Sequence, residues 1–574
     1  MSGKKSNGLS SDQLVKLLRA RQFLFSGEHN KEKTAAISEL SGRELRNPSS
    51  LLAYHDILCF MQAYPGNAAL ARLVDDELAG FARRIDLFRL INGPEDDRID
   101  DTGMVGTIIG YPYSYLMARW LAGNYGSDVD IDWDDYRERD DDPVSSLLSL
   151  FALQMENDGV DDENLTGEEW VLNALACGQS SLAWLLEKID SLEVPSTVKQ
   201  YLYDNAELGL KWSLNRGASR TLAKKPAGTV YYQKTALIKP RIDLRKTAAR
   251  SRPGLKLLGE KDGAKIIDIL IGALLLRHRE LYPATFANPG EVYESSPGRG
   301  LRIFILGMRP EDRMPLETNY SALLIKNGVP IGYGIAVLFF QRCEIAINVF
   351  DTFRSGEASI IFDHFFRVFY HSFGARAFIM RRWQIGHENE EGLQSGSFWF
   401  YYKLGFRPMD PAINEFASAE ARRINSDKSH RSDLRTLKKL ALCDMLLDLR
   451  ANPGRPFKEL PVADLGIAVT RSVAGDFAGN GHKAEKFMQK KVAGALGNPE
   501  IEKWNRLEKA QFRRFSPLIG IIPDLAKWTS TEKLALLNII RAKAAPREIA
   551  YVMLLRKHKR LETALDKLAM LETY

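Results

Sequence analysis

Cysteine is scarce and scattered in this sequence. Cys59, Cys177, Cys343 and Cys443 are the only four in 574 residues, and no two form a CxxC pair. That spacing suggests neither a disulfide framework nor a zinc site, so a reducing, cytoplasmic setting is expected. Long apolar runs are missing as well. The most apolar stretch, 266–276, contains Asp268 and is far shorter than the roughly 20 residues a membrane span needs, so it reads as a buried helix. The opening MSGKKSNGLSS has no apolar segment, and no secretory leader is expected. There is no GxSxG elbow, no Walker A loop, no GxGxxG after a strand, and no Cys/His spacing for a metal, so no metal is expected.

What is present is ordinary in bulk and uneven in detail. An apolar fraction of 45% with 26% charged residues fits a globular chain, and 574 residues are too many for one core. Net charge is a mild +6, yet 128–142 holds nine acidic residues against Arg137 and Arg139. Conversely, 211–256 holds thirteen basic residues against Asp243 alone. Two readings stay open: mutually attracting or solvated surfaces of one protein, or a basic segment for a polyanion. Trp212, Tyr231 and Tyr232 are the only aromatics of that basic stretch and no recognition motif appears, so nucleic acid is not the expected partner.

Taken in order, the apolar spacing reads as helical from 11 to about 88, over 104–123, and at about 144–155, 166–189 and 194–213, with acidic loops between. This gives a helical N-terminal domain at 1–216 and a basic linker at 217–261, where Lys, Arg and Pro accumulate. A central domain at 262–415 follows. The remainder, 416–574, reads as helical, with helices at 413–424, 431–450, 461–475, 481–495, 498–514 and 530–571, the last broken by Pro546.

The central domain has a different pattern. Residues 301–308, 320–326, 331–340 and 343–350 are aliphatic and aromatic runs that read as strands. Asn327-Gly328 marks a hairpin and Gln341-Arg342 a second tight turn, which makes the strands flanking those turns antiparallel. A short glycine loop at 353–358 leads into a helix over 357–373, capped by Gly374, and a fifth strand at 375–381. A polar loop then runs into the aromatic helix 393–404, which ends at Gly405 (FWFYYKLGFRP over 398–408).

This order, carried by residues 331–334, 343–358 and 400–406, resembles the GNAT N-acetyltransferase superfamily. The likeness covers about a quarter of the chain. It implies a mixed α/β acyl-CoA N-acyltransferase fold with a mostly antiparallel sheet, between all-helical flanks. It also implies a cofactor, acetyl-CoA or another acyl-CoA. The family's Gln/Arg-x-x-Gly-x-Gly/Ala loop, which holds the coenzyme A pyrophosphate on backbone amides, corresponds here to 353–358. Arg354, Ser355, Gly356 and Ala358 would hold the phosphates, as anions are held at a helix N-terminus. Phe353 and Glu357 depart from the pattern, and a plain turn is the alternative. The strand amides at Ile347 and Val349 would align the pantetheine. Tyr401 matches the tyrosine that protonates the departing thiolate, and a phenol suits that role by starting protonated. The alternative is a packed aromatic helix. Glu344 falls where some members carry a general base; pairing with Arg342 or Arg302 is the other possibility. His387, Glu388, Asn389 and Glu390 lie where an amine acceptor would be recognised, or form a solvated loop.

The sequence thus leads to a bacterial-type, cytoplasmic N-acyltransferase acting on an unidentified amine. The alternative is a non-catalytic recognition module of the same fold within a helical scaffold. A gap between the fourth and fifth strands that is open favours the first, and one filled by side chains favours the second.

Overall fold

A computed structural model describes every residue except 1–8, 94, 95, 157, 159–164, 216, 217, 221–227, 355, 452–456 and 572–574. The chain divides into two compact units, the first made of Met1–Ala236, Asp268–Leu281 and Lys326–Pro330. The second is Leu237–Ile267, Tyr282–Ile325 and Ile331–Tyr574.

The first unit begins with helices Ser11–Arg21, Gly27–Ser41, Pro48–Ala63 and Ala68–Ala79. Each starts where the sequence offers a capping side chain: Ser10, Ser26, Asn47 and Asn67 accept from first-turn amides. Lys33 is buried among them, 1% exposed, and its ammonium donates to the Leu24 and Gln22 carbonyls at 2.7 and 3.2 Å. The expected all-helical character does not hold throughout. Strands β1 (Ile108–Tyr111), β2 (Val129–Ile131) and β3 (Leu210–Ser213) form a sheet in the order β1-β3-β2. These strands have three or four residues each, too few to show a two-residue period, and they pair across about a hundred residues of chain. What anchors them is Trp212, which is fully buried opposite Ile109 and Val129. Beside it Lys211 reaches Asp132 at 2.8 Å and Asp134 at 2.5 Å, so the basic and acidic stretches pair at this point.

The second unit is built on a nine-stranded, mostly antiparallel sheet flanked by helices, a mixed α/β architecture. Its strands are β4 (Lys256–Leu257), β5 (Ala287–Gly298), β6 (Leu301–Met308), β7 (Thr318–Lys326), β8 (Val329–Phe339), β9 (Arg342–Val349), β10 (Ala377–Met380), β11 (Arg407–Pro408) and β12 (Met445–Asp448). Their spatial order is β11-β12-β10-β9-β8-β7-β6-β5-β4. The strands read from sequence are present within a few residues, and Asn327 and Gly328 both take positive φ, 48° and 87°, as the hairpin turn requires. Two strands depart from the sequence expectation. β5 carries Pro289, Gly290 and Pro297, which argue against a strand, and it tolerates them through register shifts between 287 and 292 and between 295 and 298. β12 lies inside the expected helix 431–450, which instead ends at Leu440; Met445–Asp448 pairs antiparallel with β10. The C-terminal flank is therefore not all helical.

Helix Ala358–Val368 and the wider turn Phe369–Phe373 pack an aromatic layer beneath the sheet. Phe362, Phe365, Phe366, Phe369 and Phe373 are fully buried, with Phe366 against Phe378 of β10 at 4.6 Å and Phe373 against Tyr320 of β7 at 4.9 Å between ring centres. At the other end of the sheet the side chains of Glu291, Arg313, Lys543 and Glu548 are sealed from water. Arg313 donates to the Lys543 and Ala545 carbonyls at 2.8 and 2.5 Å, and Glu291 accepts from the Glu548 amide at 2.8 Å and from the Tyr320 hydroxyl at 3.0 Å. These four side chains close on themselves there, joining β5 to the turn before helix Ile549–Leu555, and burial pushes the Glu291 carboxyl up to about 7.

Candidate functional site

In the large sheet β9 and β10 run parallel, and their contact is short. Arg342, Cys343 and Glu344 are opposite Ala377, Phe378 and Ile379, and β10 ends at Met380 while β9 runs on to Val349. On its far side β9 stays fully paired with β8, through Gly332 opposite Val349. The strands therefore part after Glu344, and the β10-facing edge of β9 from Ile345 onward needs other partners for its peptide groups.

Side chains supply them. Helix Ser397–Leu404 follows β10 and buries Phe398, Tyr401 and Leu404 on one face, while Gly405 ends it in the left-handed conformation at φ 114°. The sequence produces this placement directly: the buried residues recur every third position, and the glycine turns the chain into β11. Tyr401, 4% exposed, packs its ring on Phe362 at 5.4 Å and on Phe406 at 6.0 Å. Its oxygen accepts a hydrogen bond from the Ile347 backbone amide. Burial raises the phenol well above its ordinary pKa, and the amide only partly offsets this, so Tyr401 is protonated at any physiological pH. One step along the same edge, the Val349 carbonyl accepts from Arg354 Nε at 3.4 Å. Both ends of the open stretch are closed by residues singled out from the sequence: Tyr401 on Ile347, and Arg354 on Val349.

The loop after β9 is more tightly committed than a free anion cradle. Asp351–Phe353 forms a single tight turn and Phe353 is 2% exposed, serving as a core plug where the family loop begins with a polar residue. The Gly356 amide donates to the Phe353 carbonyl at 2.9 Å. Arg354 is paired with Asp351 at 2.6 Å and with Glu391. Glu357, at the helix N-cap, is buried and paired with Arg299 at 2.9 Å. Ala358 is the first residue of the helix, and Ser355 lies outside the described residues.

Glu344 is bound at 2.7 Å to Arg381, the residue that follows β10, and not to Arg342 or Arg302. Arg381 also holds Asp444 at 2.8 Å and Glu459 at 2.7 Å. Burial opposes its charge, but these carboxylates keep it above the usual arginine range. Arg342 extends the network to Glu459 at 2.5 Å and to Glu317. In the polar loop, Asn389 holds the backbone in place, its side chain accepting from Gly392 N–H at 3.1 Å and donating to the Trp383 carbonyl at 2.9 Å. Glu388 and Glu390 face solvent, and His387 is half-buried, 4.0 Å from Glu388.

Ile347, Val349, Arg354 and Tyr401 thus converge on the parting of the two strands, whereas Glu344 belongs to a neighbouring ion network. Sequence reasoning passed over Glu391, Arg381, Asp444 and Glu459. Glu391 is a first-turn acid of a short helix, and that position alone does not reveal its partner 37 residues away. Among the described residues no group of three or more His, Cys, Asp or Glu is placed to hold a metal ion, and no helix is long and apolar enough to cross a membrane. No protein-family model matches the chain, and neither a curated protein nor a solved structure matches it.

Proposed function

We propose that the β9–β10 region is a GNAT-like acyl-CoA site and that the protein is an N-acyltransferase moving an acetyl or related group to an amine. The observation that carries this is the meeting of Tyr401 with the Ile347 amide at the point where two parallel strands part. The two residues have separate roles in such a site, one as acid and one as the strand edge for pantetheine, and they are 54 positions apart in the chain.

The fit of an acyl-CoA divides into two halves. At the strand edge, Ile347 N–H and Val349 C=O are the donor and acceptor an extended amide ligand needs, and their present partners are side chains that a ligand can displace. At the loop, Arg354 already serves Asp351 and Glu391, and Glu357 adds a buried carboxylate at the helix N-cap, so the pyrophosphate half fits less well. When bound, the cofactor would supply an activated thioester. Tyr401 would hold a proton beside the sulfur, in a water-poor pocket that keeps the phenol neutral. Glu388 and Glu390 give the adjoining loop a negative face suited to an ammonium. Glu344 serves as base only if Arg381 releases it.

Calorimetry with coenzyme A and acetyl-CoA tests the cofactor half: saturable heat is expected, and its absence rejects the proposal. The second reading, a non-catalytic recognition module, is favoured by the same self-paired edge and by the occupied Arg354. It predicts no coenzyme A binding even when Arg354 is freed.

A further inference from the structure

A hollow in the second unit lies on helices that follow the large sheet in sequence, apart from the residues of β9 and β10. It is a cavity of about 430 Å³ between helices Val462–Phe477, Gly481–Ala495 and Arg506–Gly520. Each helix contributes residues one turn apart, so each turns one face to the space: Val469 and Val473, then Gly481, Ala484 and Met488, then Arg513 and Pro517. At Gly481 and Ala484 the middle helix offers only a hydrogen and a methyl group to the space that Val469 and Val473 line from the first helix. A Cβ added at Gly481 would meet nothing within 4 Å. Met488 forms an adaptable floor against Gly520.

The polar lining is Ser472, Glu485, Arg513 and Arg514. Arg513 and Arg514 line the cavity with a single carboxylate, Glu485, which pairs with Arg513 at 3.4 Å. Arg514 is otherwise bonded only weakly with charge in mind: its guanidinium donates to a neutral carbonyl, that of Glu311, at 3.1 Å. Gly481 also opens its helix, so the positive end of a fifteen-residue dipole borders the cavity. Pro517, inside its helix, has no N–H to give the Arg513 carbonyl four residues earlier. The result is a half-open hollow, aliphatic in most of its lining, with two exposed arginines against one carboxylate.

We propose that this cavity binds an amphipathic anion: an unbranched aliphatic chain ending in a carboxylate or phosphate. At roughly 30 Å³ per heavy atom, the cavity accommodates about 14, close to the size of decanoate. The chain lies along Val469, Val473, Ala484 and Met488, and the head group meets Arg514 and the first turn of helix Gly481–Ala495. This site is independent of the acyl-transfer reading.

Calorimetric titration of the full chain with decanoate, decyl phosphate and decanol tests it. Both anions are expected to bind saturably below millimolar concentration, and the tighter of the two identifies the head group. Gly481→Leu fills the chamber without meeting a neighbour at its Cβ and is expected to weaken the anions at least about tenfold at unchanged melting temperature. Ala484→Leu is the second filling variant. Arg514→Met is expected to weaken decanoate about tenfold while leaving decanol within about twofold. No saturable binding by either anion, binding unaffected by both leucine variants, or equal loss of decanol and decanoate in Arg514→Met would overturn the assignment.

Discussion

Tyr401→Phe isolates one atom. The ring keeps its edge contacts with Phe362 and Phe406, and only the oxygen that accepts from Ile347 N–H is removed. Ile347 loses a partner on an edge that β10 does not reach. A buried donor left unpaired costs about 1–3 kcal/mol, so the variant is expected to unfold at lower urea concentration than the parent with an unchanged slope. Acetyl-CoA changes the comparison. If its pantetheine pairs with β9, Ile347 regains an acceptor, and the variant should recover most of that loss at saturating cofactor. Cofactor affinity should be equal or better, because no phenol has to be displaced. Turnover moves the other way. Losing a positioned general acid lowers kcat by about 10²–10⁴, read as thiol release from acetyl-CoA with a panel of diamines, amino acids and lysine peptides. A variant as stable as the parent, with the same thiol release, would refute both the hydrogen bond and the acid role. A stable loss that acetyl-CoA does not restore would leave Tyr401 as a structural plug and favour the module reading.

Glu391→Gln should release Arg354; because this pair is half-exposed, coenzyme A affinity should rise by no more than about fivefold, and an unchanged affinity would remove Arg354 from the phosphate site. Arg313→Met removes the cation beside sealed Glu291, while Glu548 keeps Lys543 at 2.5 Å, and should cost about 3–5 kcal/mol by urea unfolding, where a loss under about 1 kcal/mol would show that Glu291 is not held as an anion. Burial lowers the Lys33 ammonium to about 8 from 10.5. Between those values the unfolded chain binds the proton and the folded chain does not, so stability rises with pH there, by about 3 kcal/mol in full. The difference between parent and Lys33→Met, in which tyrosine titrations cancel, should show that slope from pH 8 to 10; a flat difference would contradict it.

Legibility from sequence followed the range of the interactions. The hairpin at Asn327-Gly328, the helix stop at Gly405 and the cap at Gly374 are set by backbone preferences of one or two residues, and each was readable. Strands β6 to β9 were readable because they are long and joined by tight turns. β12 was not, since four residues cannot display a period and its pairing with β10 crosses 65 positions. β5 was hidden by its own prolines. At the site, a motif match could nominate Tyr401, but only the fold could bring it to Ile347. Charge partners were the least legible. Glu344 reads from sequence as a candidate base, with pairing to Arg342 or Arg302 as the alternative, and its actual partner Arg381 directly follows β10, which is distant in sequence and adjacent in the sheet.

The self-paired edge of β9 follows from the same physics that would make it a binding site. Two parallel strands that diverge leave peptide groups without a strand partner, and buried peptide groups need one. A long polar side chain from the next helix and another from the next loop are the simplest local means of closing it, and Tyr401 and Arg354 are the two that reach. The closed edge favours the recognition module, and the enzyme reading stands only if a ligand displaces both side chains. The two side chains differ in the cost of opening. Tyr401 gives up one hydrogen bond that a ligand amide can replace. Arg354 gives up two carboxylates that a diphosphate must outcompete while Glu357 stays buried nearby. The decision between the two functions thus rests on the loop after β9 and on how firmly Asp351 and Glu391 hold one guanidinium.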